Sequence, residues 1–219
     1  MSILDLLTGR DSELERALDA YPIFDWPHLG KGIDLTASQR EENLAWFLAA
    51  RPGRVEALAK FLAGLGVELP PPGDPTLNAA SIATRLDALA KQRFIKVAAF
   101  ESACAPDWRR KSATGIAAAA RSVAIDLGVY IGECATHAAE PFDWRVGESR
   151  YRPANMPMTA GEVVISKLSM LSPKPNRVYL DVVDWSVFAV WDVMRRRTQK
   201  AFWKLNHFEY LGHLLDNRY

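Results

Sequence analysis

The sequence predicts an α+β protein that is mostly helical, with a small antiparallel sheet in its C-terminal half packed on helices. Three observations support this fold class. Apolar residues recur at helical spacing through much of the first 137 residues. Beyond Pro141 the period changes toward two, in short segments rich in β-branched and aromatic residues. From Asp184 the pattern is helical again, and the few strands before it follow one another directly, as in an antiparallel sheet.

A proline-rich stretch divides the chain. Four prolines in six residues, together with Gly73, lie within residues 67–77. Helix and central strand are both disfavoured there, because proline lacks a backbone N–H and has a fixed φ, so we predict a stiff, extended connector. It separates an N-terminal helical portion, residues 1–66, from an α+β main domain, residues 78–219. The sequence leaves open whether the N-terminal portion belongs to the same domain.

Helices are predicted throughout the N-terminal portion. The first is expected over residues 12–20. Ser38 and Glu41 have the spacing of a capping box, whose two side chains accept hydrogen bonds from backbone N–H groups at the start of a helix. The second helix is therefore expected over residues 39–51. Pro52 and the glycine after it are expected to end that helix, and a third helix is expected to follow.

In the main domain, helices are predicted both before and after the strands along the chain. Asn78 and Asp184 can each cap a helix through a side-chain oxygen. The predicted helices are residues 79–103, an alanine-rich helix over 115–137, and a last helix from Asp184 to the end with a bend near Thr198. The predicted strands are residues 142–147, 162–169 and 177–182.

The composition is that of a globular protein, with 49% hydrophobic and 24% charged residues. The N-terminus lacks the long apolar run of a secretory signal, and no stretch reaches the roughly 20 apolar residues needed to span a bilayer. The two cysteines, Cys104 and Cys134, form neither a C-x-x-C pair nor a disulfide framework, which fits a reducing compartment. We therefore predict a cytoplasmic protein with no membrane association.

Charge is unevenly distributed along the chain, although the net charge is only +1. Residues 1–75 hold seven basic and twelve acidic side chains, and the rest of the chain holds twenty basic and fourteen acidic ones. Arg195, Arg196, Arg197 and Lys200 form a basic helical segment that could follow phosphates. Adjacent arginines point in different directions on a helix, however, so nucleic-acid binding is kept as an alternative and not as the main hypothesis.

An acid, a thiol and an imidazole are crowded together at the end of the alanine-rich helix. Glu133 and His137 are four residues apart, so their side chains can meet on one edge of the helix. Cys134 lies on the apolar face, about 100° away from Glu133, and is predicted to be a core residue. We predict a Glu133–His137 ion pair at the helix end, and we keep a catalytic dyad of these two residues as the alternative.

Two aspartates lie where the last predicted strand passes into the last predicted helix. Asp181 and Asp184 could hold a divalent cation, as paired carboxylates do in nucleases and phosphatases. A helix cap at Asp184 explains the same pattern without a metal. No third carboxylate with a clear spacing stands nearby in the sequence, so no metal or other cofactor is predicted.

The segment DLGVYIGE, followed about ten residues later by an isolated tryptophan, a strand-rich stretch and a terminal helix, resembles small uncharacterised bacterial proteins of the immunity type, which neutralise toxins. The resemblance covers about residues 112–194. It is carried by Gly128, Tyr130, Gly132, Glu133 and Trp144. It implies that these residues are structural and that a surface of the protein occludes a toxin. No catalytic residue follows from it.

The sequence therefore favours a non-enzymatic protein-binding module, with a toxin as the partner that the resemblance implies. The common nucleotide-binding, serine-hydrolase and zinc-protease motifs are absent. Gly128 and Gly132 are expected to leave a flat groove on their helix, with Tyr130 and Trp144 filling space beside it and Glu133 and His137 at its rim. These last four are the predicted binding residues. An enzyme that uses Glu133 and His137, or a metal at Asp181 and Asp184, stays the alternative.

Overall fold

The computed structural model describes residues 11–137, 142–148, 161–169, 176–195 and 208–209, and it confirms the α+β fold class. The helices of this part of the chain are α1 (Ser12–Asp19), α2 (Ala37–Gly64), α3 (Ala79–Gln92), α4 (Ala99–Ala103), α5 (Gly115–Thr136) and α6 (Val182–Arg195). The strands are β1 (Asp143–Val146), β2 (Val163–Ser169) and β3 (Asn176–Leu180). Short 3₁₀ turns lie at Gly32–Asp34, Phe94–Lys96 and Trp108–Arg110.

Helix α5 is the centre of the molecule. Helices α1, α2, α4 and α6 and the first two strands all pack around it. By length and composition it could cross a membrane, contrary to the expectation from the sequence that no segment would qualify. However, 83% of its most apolar window is buried inside the protein, as expected for the core helix of a globular fold. The alanine-rich helix predicted over residues 115–137 is thus confirmed, and its hydrophobicity is used within the protein itself.

Two glycines on α5 let its neighbours approach the helix closely. A Cβ atom on Gly128 would lie 2.6 Å from the Cα atom of Val183, at the start of α6. A Cβ atom on Gly132 would lie 2.0 Å from the Trp144 ring of β1. The predicted groove is confirmed, with Trp144 inside it. Tyr130 points toward the proline-rich connector, where its hydroxyl donates a hydrogen bond to the Pro70 carbonyl oxygen at 2.9 Å.

The three strands form one antiparallel sheet in the order β1-β2-β3. The three predicted strands are confirmed, but β3 ends at Leu180 because the next residue already caps α6. The backbone N–H of Asp184 donates to Asp181 Oδ1 at 2.8 Å. The prediction that Asp184 caps the last helix is therefore wrong, since Asp181 does so three residues earlier.

Two predictions about helix α2 are wrong, the residues of its capping box and its end at Pro52. Its capping box joins Thr36 and Gln39 instead of Ser38 and Glu41. The helix also continues through Pro52. A proline removes one hydrogen bond to the preceding turn, but its fixed φ is itself helical. The buried face of α2 includes Phe47 on one side of Pro52 and Arg54, Leu58, Phe61 and Leu62 on the other, so packing holds both halves in one helix.

The helix predicted over residues 79–103 is interrupted. Its cap is confirmed, since Asn78 Oδ1 accepts a hydrogen bond from Ser81 N at 2.9 Å. The helix ends at Gln92, however, and a 3₁₀ turn leads to α4. The turn allows the rings of Phe94 and Phe100 to stack with centroids 4.3 Å apart. On a continuous helix these two side chains would point about 120° apart and lie nearly two turns from each other.

The proline-rich connector contains neither helix nor strand, as predicted, but it bends through turns and lies against α5. Besides the Tyr130–Pro70 hydrogen bond, Gly73 adopts a positive φ of 84°, and a Cβ atom there would lie 3.0 Å from the His137 ring. Buried side chains from both sides of the connector, including Leu14, Phe47 and Val190, belong to one hydrophobic cluster. The N-terminal helices and the sheet-bearing half thus share a core.

A buried ionic network joins α5 to the N-terminal helices. Asp126 of α5 is fully buried and accepts hydrogen bonds from Arg54 Nε at 2.9 Å and from the Tyr21 hydroxyl at 2.6 Å. The Arg54 guanidinium also donates to the carbonyl oxygens of Pro22 and Ile23, at 3.0 and 3.3 Å. Burial raises the pKa of Asp126 to about 6, although Arg54 and Tyr21 oppose this shift. Arg54 thus ties the start of the 20–36 loop to the core helix.

We expect Gly128→Ala to lower the free energy of unfolding by about 3 kcal/mol, because the added methyl group meets α6 backbone that cannot move aside. Gly53→Ala is the matched control, since a Cβ atom there meets nothing within 4 Å and the residue lies inside α2. It should stabilise the protein by about 0.5–1 kcal/mol through the higher helix propensity of alanine. Urea unfolding measures both. Equal effects of the two variants would contradict the close approach of α6.

The buried carboxyl group of Asp126 should give stability a distinctive pH dependence. Its pKa in the folded protein, about 6, lies above the ordinary value of 3.8, so the folded state holds the proton more tightly between these pH values. The stability contribution of this group therefore falls as pH rises from 4 to 6. Relative to Asp126→Asn, we expect the wild-type free energy of unfolding to decrease by about 3 kcal/mol over this range.

Asp34→Asn is the control for this pH experiment. The Arg110 side chain lowers the pKa of Asp34, so this exposed carboxylate titrates below the window and its removal should leave the pH 4–6 slope unchanged. Parallel pH profiles for wild type and Asp126→Asn, measured by urea unfolding at each pH, would show that Asp126 carries no raised pKa.

Candidate functional site

The predicted Glu133–His137 ion pair is wrong. The Glu133 carboxylate accepts hydrogen bonds from Arg51 Nη1 at 2.8 Å and from Trp144 Nε1 at 2.7 Å. His137 is the C-cap residue of α5, with non-helical dihedral angles, and its Nδ1–H donates to the Glu133 carbonyl oxygen at 2.8 Å. The i,i+4 rule requires both residues to be helical, which explains the failure. Glu133 instead connects α5 to α2 and β1.

Cys134 is a core residue, as predicted. It is buried in the hydrophobic cluster, and burial raises the pKa of its thiol to about 12. The nucleophilic form of cysteine is the thiolate, which is scarce at neutral pH when the pKa is so high. Cys104 is buried as well, and burial likewise raises its pKa to about 12. Neither thiol is poised for covalent catalysis.

Asp181 and Asp184 lie on either side of Arg109. The guanidinium of this arginine lies where the alternative prediction placed a divalent metal ion. Arg109 Nη2 donates to both oxygens of Asp181, at 3.0 and 2.8 Å, and Arg109 Nη1 lies 3.3 Å from Glu162 Oε2. Asp184 accepts a hydrogen bond from Trp108 Nε1 at 2.9 Å. Among the described residues no group of three or more His, Cys, Asp or Glu side chains is arranged to hold a metal ion. These carboxylates join the 3₁₀ turn at Trp108 to the sheet and to α6.

The electrostatics of this cluster are dominated by the burial of its charges. Burial raises the pKa of Asp181, and the neighbouring carboxylates of Asp184 and Glu162 add to this, whereas Arg109 opposes it. Burial disfavours the charge of Arg109, but the carboxylates around it outweigh burial and raise its pKa. Arg109 therefore stays charged and cannot act as a proton donor or acceptor near neutral pH.

A small cleft lies beside this cluster. Its lining combines aromatic, apolar and charged side chains, among them Trp26, His28, Leu29, Trp108, Arg121 and Glu162. Its volume is about 40 Å³. A buried water needs roughly 10–15 Å³ by the same measure, so the cleft has room for about three waters or one small polar group. None of its polar residues was singled out from the sequence.

Hydrogen bonds and one close backbone contact fix the walls of the cleft relative to each other. Asn43 binds the backbone of His28 twice, accepting from its N–H at 3.0 Å and donating to its carbonyl oxygen at 2.9 Å. Glu162 Oε1 accepts from the N–H of Gly32 at 2.8 Å. A Cβ atom on Gly32 would lie only 2.1 Å from the carbonyl carbon of Gly161, so these two backbones touch directly. The loop that carries one wall is fixed to the sheet that carries the other.

The basic segment is only partly visible in the described structure. Arg195 is exposed at the end of α6 and stacks over the Trp191 ring, with 5.3 Å between the guanidinium carbon and the ring centroid. Arg196, Arg197 and Lys200 lie outside the described residues. Nucleic-acid binding by this segment stays a prediction.

No protein-family model, curated protein or solved structure matches the chain.

We expect Glu133→Ala to lower the free energy of unfolding by about 2–3 kcal/mol, because it removes hydrogen bonds from Arg51 and Trp144 to a largely buried carboxylate. His137→Ala is the matched change four residues later, and it should cost about 1 kcal/mol or less, because its ring is exposed and, among the described residues, forms hydrogen bonds only with Thr136 and the Glu133 carbonyl. Thermal and urea unfolding measure both. A greater loss for His137→Ala would contradict the contacts described here.

Proposed function

We propose that the protein is a non-enzymatic protein-binding module, and that it docks through the loop of residues 23–35, which we name the binding segment. One observation carries this proposal. Of the five large hydrophobic side chains exposed within the described residues, three belong to this segment: Ile23 at 48%, Leu29 at 54% and Ile33 at 51% exposed. Apolar side chains concentrated on one surface loop are typical of interaction sites.

The fixed backbone of the binding segment supports the same proposal. Arg54 holds its first residue through the Ile23 carbonyl, Asn43 holds His28, and Glu162 holds Gly32. A loop that is already ordered loses little conformational entropy when a partner binds, so more of the interaction energy appears as affinity. Its exposed side chains are thus presented from a rigid frame that both the core helix and the sheet support.

The roles of the candidate catalytic groups favour binding over chemistry. Glu133 anchors Arg51 and Trp144, Asp181 caps α6 and holds Arg109, and Cys134 is a buried neutral thiol. Each of these groups therefore has a structural function that accounts for its position. A general base or nucleophile needs a reacting partner within hydrogen-bonding reach, and these side chains face protein groups instead.

The narrower proposal is that the partner is a toxin and that the protein is its immunity protein, acting in the cytoplasm. Its support is the resemblance carried by Gly128, Tyr130, Gly132, Glu133 and Trp144, most of which pack the core. In such proteins a surface blocks the toxin, and among the described residues the binding segment is the surface that we assign to this role. A toxin gene beside the gene for this protein is the first expected observation.

The binding segment is tested with the double substitution Leu29→Ser and Ile33→Ser. Co-expressed with the product of the neighbouring gene and purified by affinity, the wild-type protein should retain that partner. Hot-spot side chains contribute about 2 kcal/mol or more each, so the double variant should bind at least tenfold more weakly.

Phe188→Ser is the matched control for this experiment. It removes an exposed apolar side chain, 55% accessible, from α6 instead of the binding segment. It should leave the affinity within about twofold. Equal weakening by both variants, or cross-linking in cells that captures no protein on residues 23–35, would contradict the proposal.

A further inference from the structure

We infer that the cleft beside the binding segment takes a carboxylate group, supplied by an acidic side chain of the protein partner and bound by Arg121. This inference rests on the proposed function and deepens it, because it names the chemistry that the partner must present. Three features of the cleft point to a carboxylate: the unused hydrogen-bonding capacity of Arg121, the partners that its other polar groups already have, and its size.

Arg121 of α5 lines the cleft and is half-buried. Its Nε donates to the Ala103 carbonyl oxygen at 3.0 Å and its Nη1 donates to the Lys111 carbonyl oxygen. A guanidinium has five N–H donors, so these two bonds leave donors for a further acceptor. Within the described part of the chain Arg121 forms no ion pair with a carboxylate. Burial, opposed weakly by Cys104, lowers its pKa, which is the effect expected for a cation that lacks a counter-charge.

The other polar groups of the cleft lining already have partners within the protein. Arg109 faces Asp181 at 2.8 Å and Glu162 at 3.3 Å, and Glu162 also accepts the N–H of Gly32. His28 Nε2 lies 2.7 Å from Glu42. Arg121 is therefore the charge in this lining that an incoming anion would complement. Bonds between a guanidinium and a carboxylate are among the strongest that a protein surface offers.

The size and walls of the cleft restrict the anion. A volume of about 40 Å³ accepts a group the size of a carboxylate and is far below the 300 Å³ or more of sites for whole small-molecule ligands. Trp26 and Trp108 contribute aromatic walls. Leu29 lies both in this lining and in the exposed binding segment, so a partner docked on the segment also covers the cleft mouth. An Asp or Glu side chain of that partner is the group that fits.

Acetate tests the carboxylate site without any partner. In ¹H–¹⁵N NMR titrations of the full chain at constant ionic strength, acetate should shift the Arg121 Nε–H signal and the amide signals of Gly30 and Gly161 saturably. Acetamide, which has the same shape and no charge, should not shift them. A hydrogen bond to a charged group is worth about 1.5–3 kcal/mol, so Arg121→Gln should weaken acetate binding about tenfold or more.

Two further variants separate binding from folding. Arg121 also ties the 103–111 loop to α5, so Arg121→Lys, which keeps the charge, should bind acetate more tightly than Arg121→Gln even if both variants melt earlier than wild type. Arg85→Gln removes an exposed positive charge on α3, outside the cleft lining. It should leave acetate affinity within about twofold. Absence of saturable acetate shifts, or equal affinity for wild type and Arg121→Gln, would overturn the carboxylate site.

The partner experiment distinguishes the two proposals. Arg121→Gln should reduce partner retention about tenfold while the Arg85→Gln protein retains it. If acetate binds at Arg121 but partner retention is unchanged in Arg121→Gln, the cleft serves a free carboxylate and the assignment to the partner is overturned. If the partner requires Leu29 and Ile33 while acetate does not bind, the proposed function stands and the inference fails.

Discussion

The buried carboxylate of Asp126 is the constraint on which much of the structure depends. It lies on the central helix α5, where an unpaired charge would cost several kcal/mol, so the fold must bring a cation and a donor to it. Arg54 of α2 and Tyr21 after α1 provide them. The same guanidinium holds the carbonyls of Pro22 and Ile23, so the interaction that neutralises the core also sets where the binding segment begins.

Local patterns predicted those elements whose stability is local in origin. The Asn78 cap, the length of α5 and the alternation of the three strands each appear within a few neighbouring residues, and each was predictable. The continuation of α2 through Pro52 was not predictable, because it depends on packing on both sides of the proline, which outweighs the loss of one hydrogen bond. The break after Gln92 depends on the stacking of two phenylalanine rings, a preference that helical periodicity does not express.

The candidate site was harder to predict than the fold, because separate segments assemble it. Arg121 interrupts an alanine-rich helix and looks like an ordinary polar position there. Glu162 follows a segment with no recognisable motif, and Trp108 and Arg109 lie between two predicted helices. Glu133 and His137 at the α5 terminus have structural roles. His137 is the C-cap of the helix, and the Glu133 carboxylate accepts a hydrogen bond from Trp144. Trp108 and Arg109 are neighbours in the sequence, and the Arg109 guanidinium stacks over the Trp108 ring at 4.4 Å, but no spacing rule links this pair to Arg121.

The backbone contact between Gly32 and Gly161 has a consequence for the evolutionary record of this fold. Compensating changes at two positions arise when a larger residue on one side can be balanced by a smaller one on the other, and this contact has no side chain to exchange. Any relative that keeps the loop on the sheet must keep both glycines. Covariation between sequences would therefore miss the contact that holds the cleft together, and two fixed glycines far apart in the chain would be its only trace.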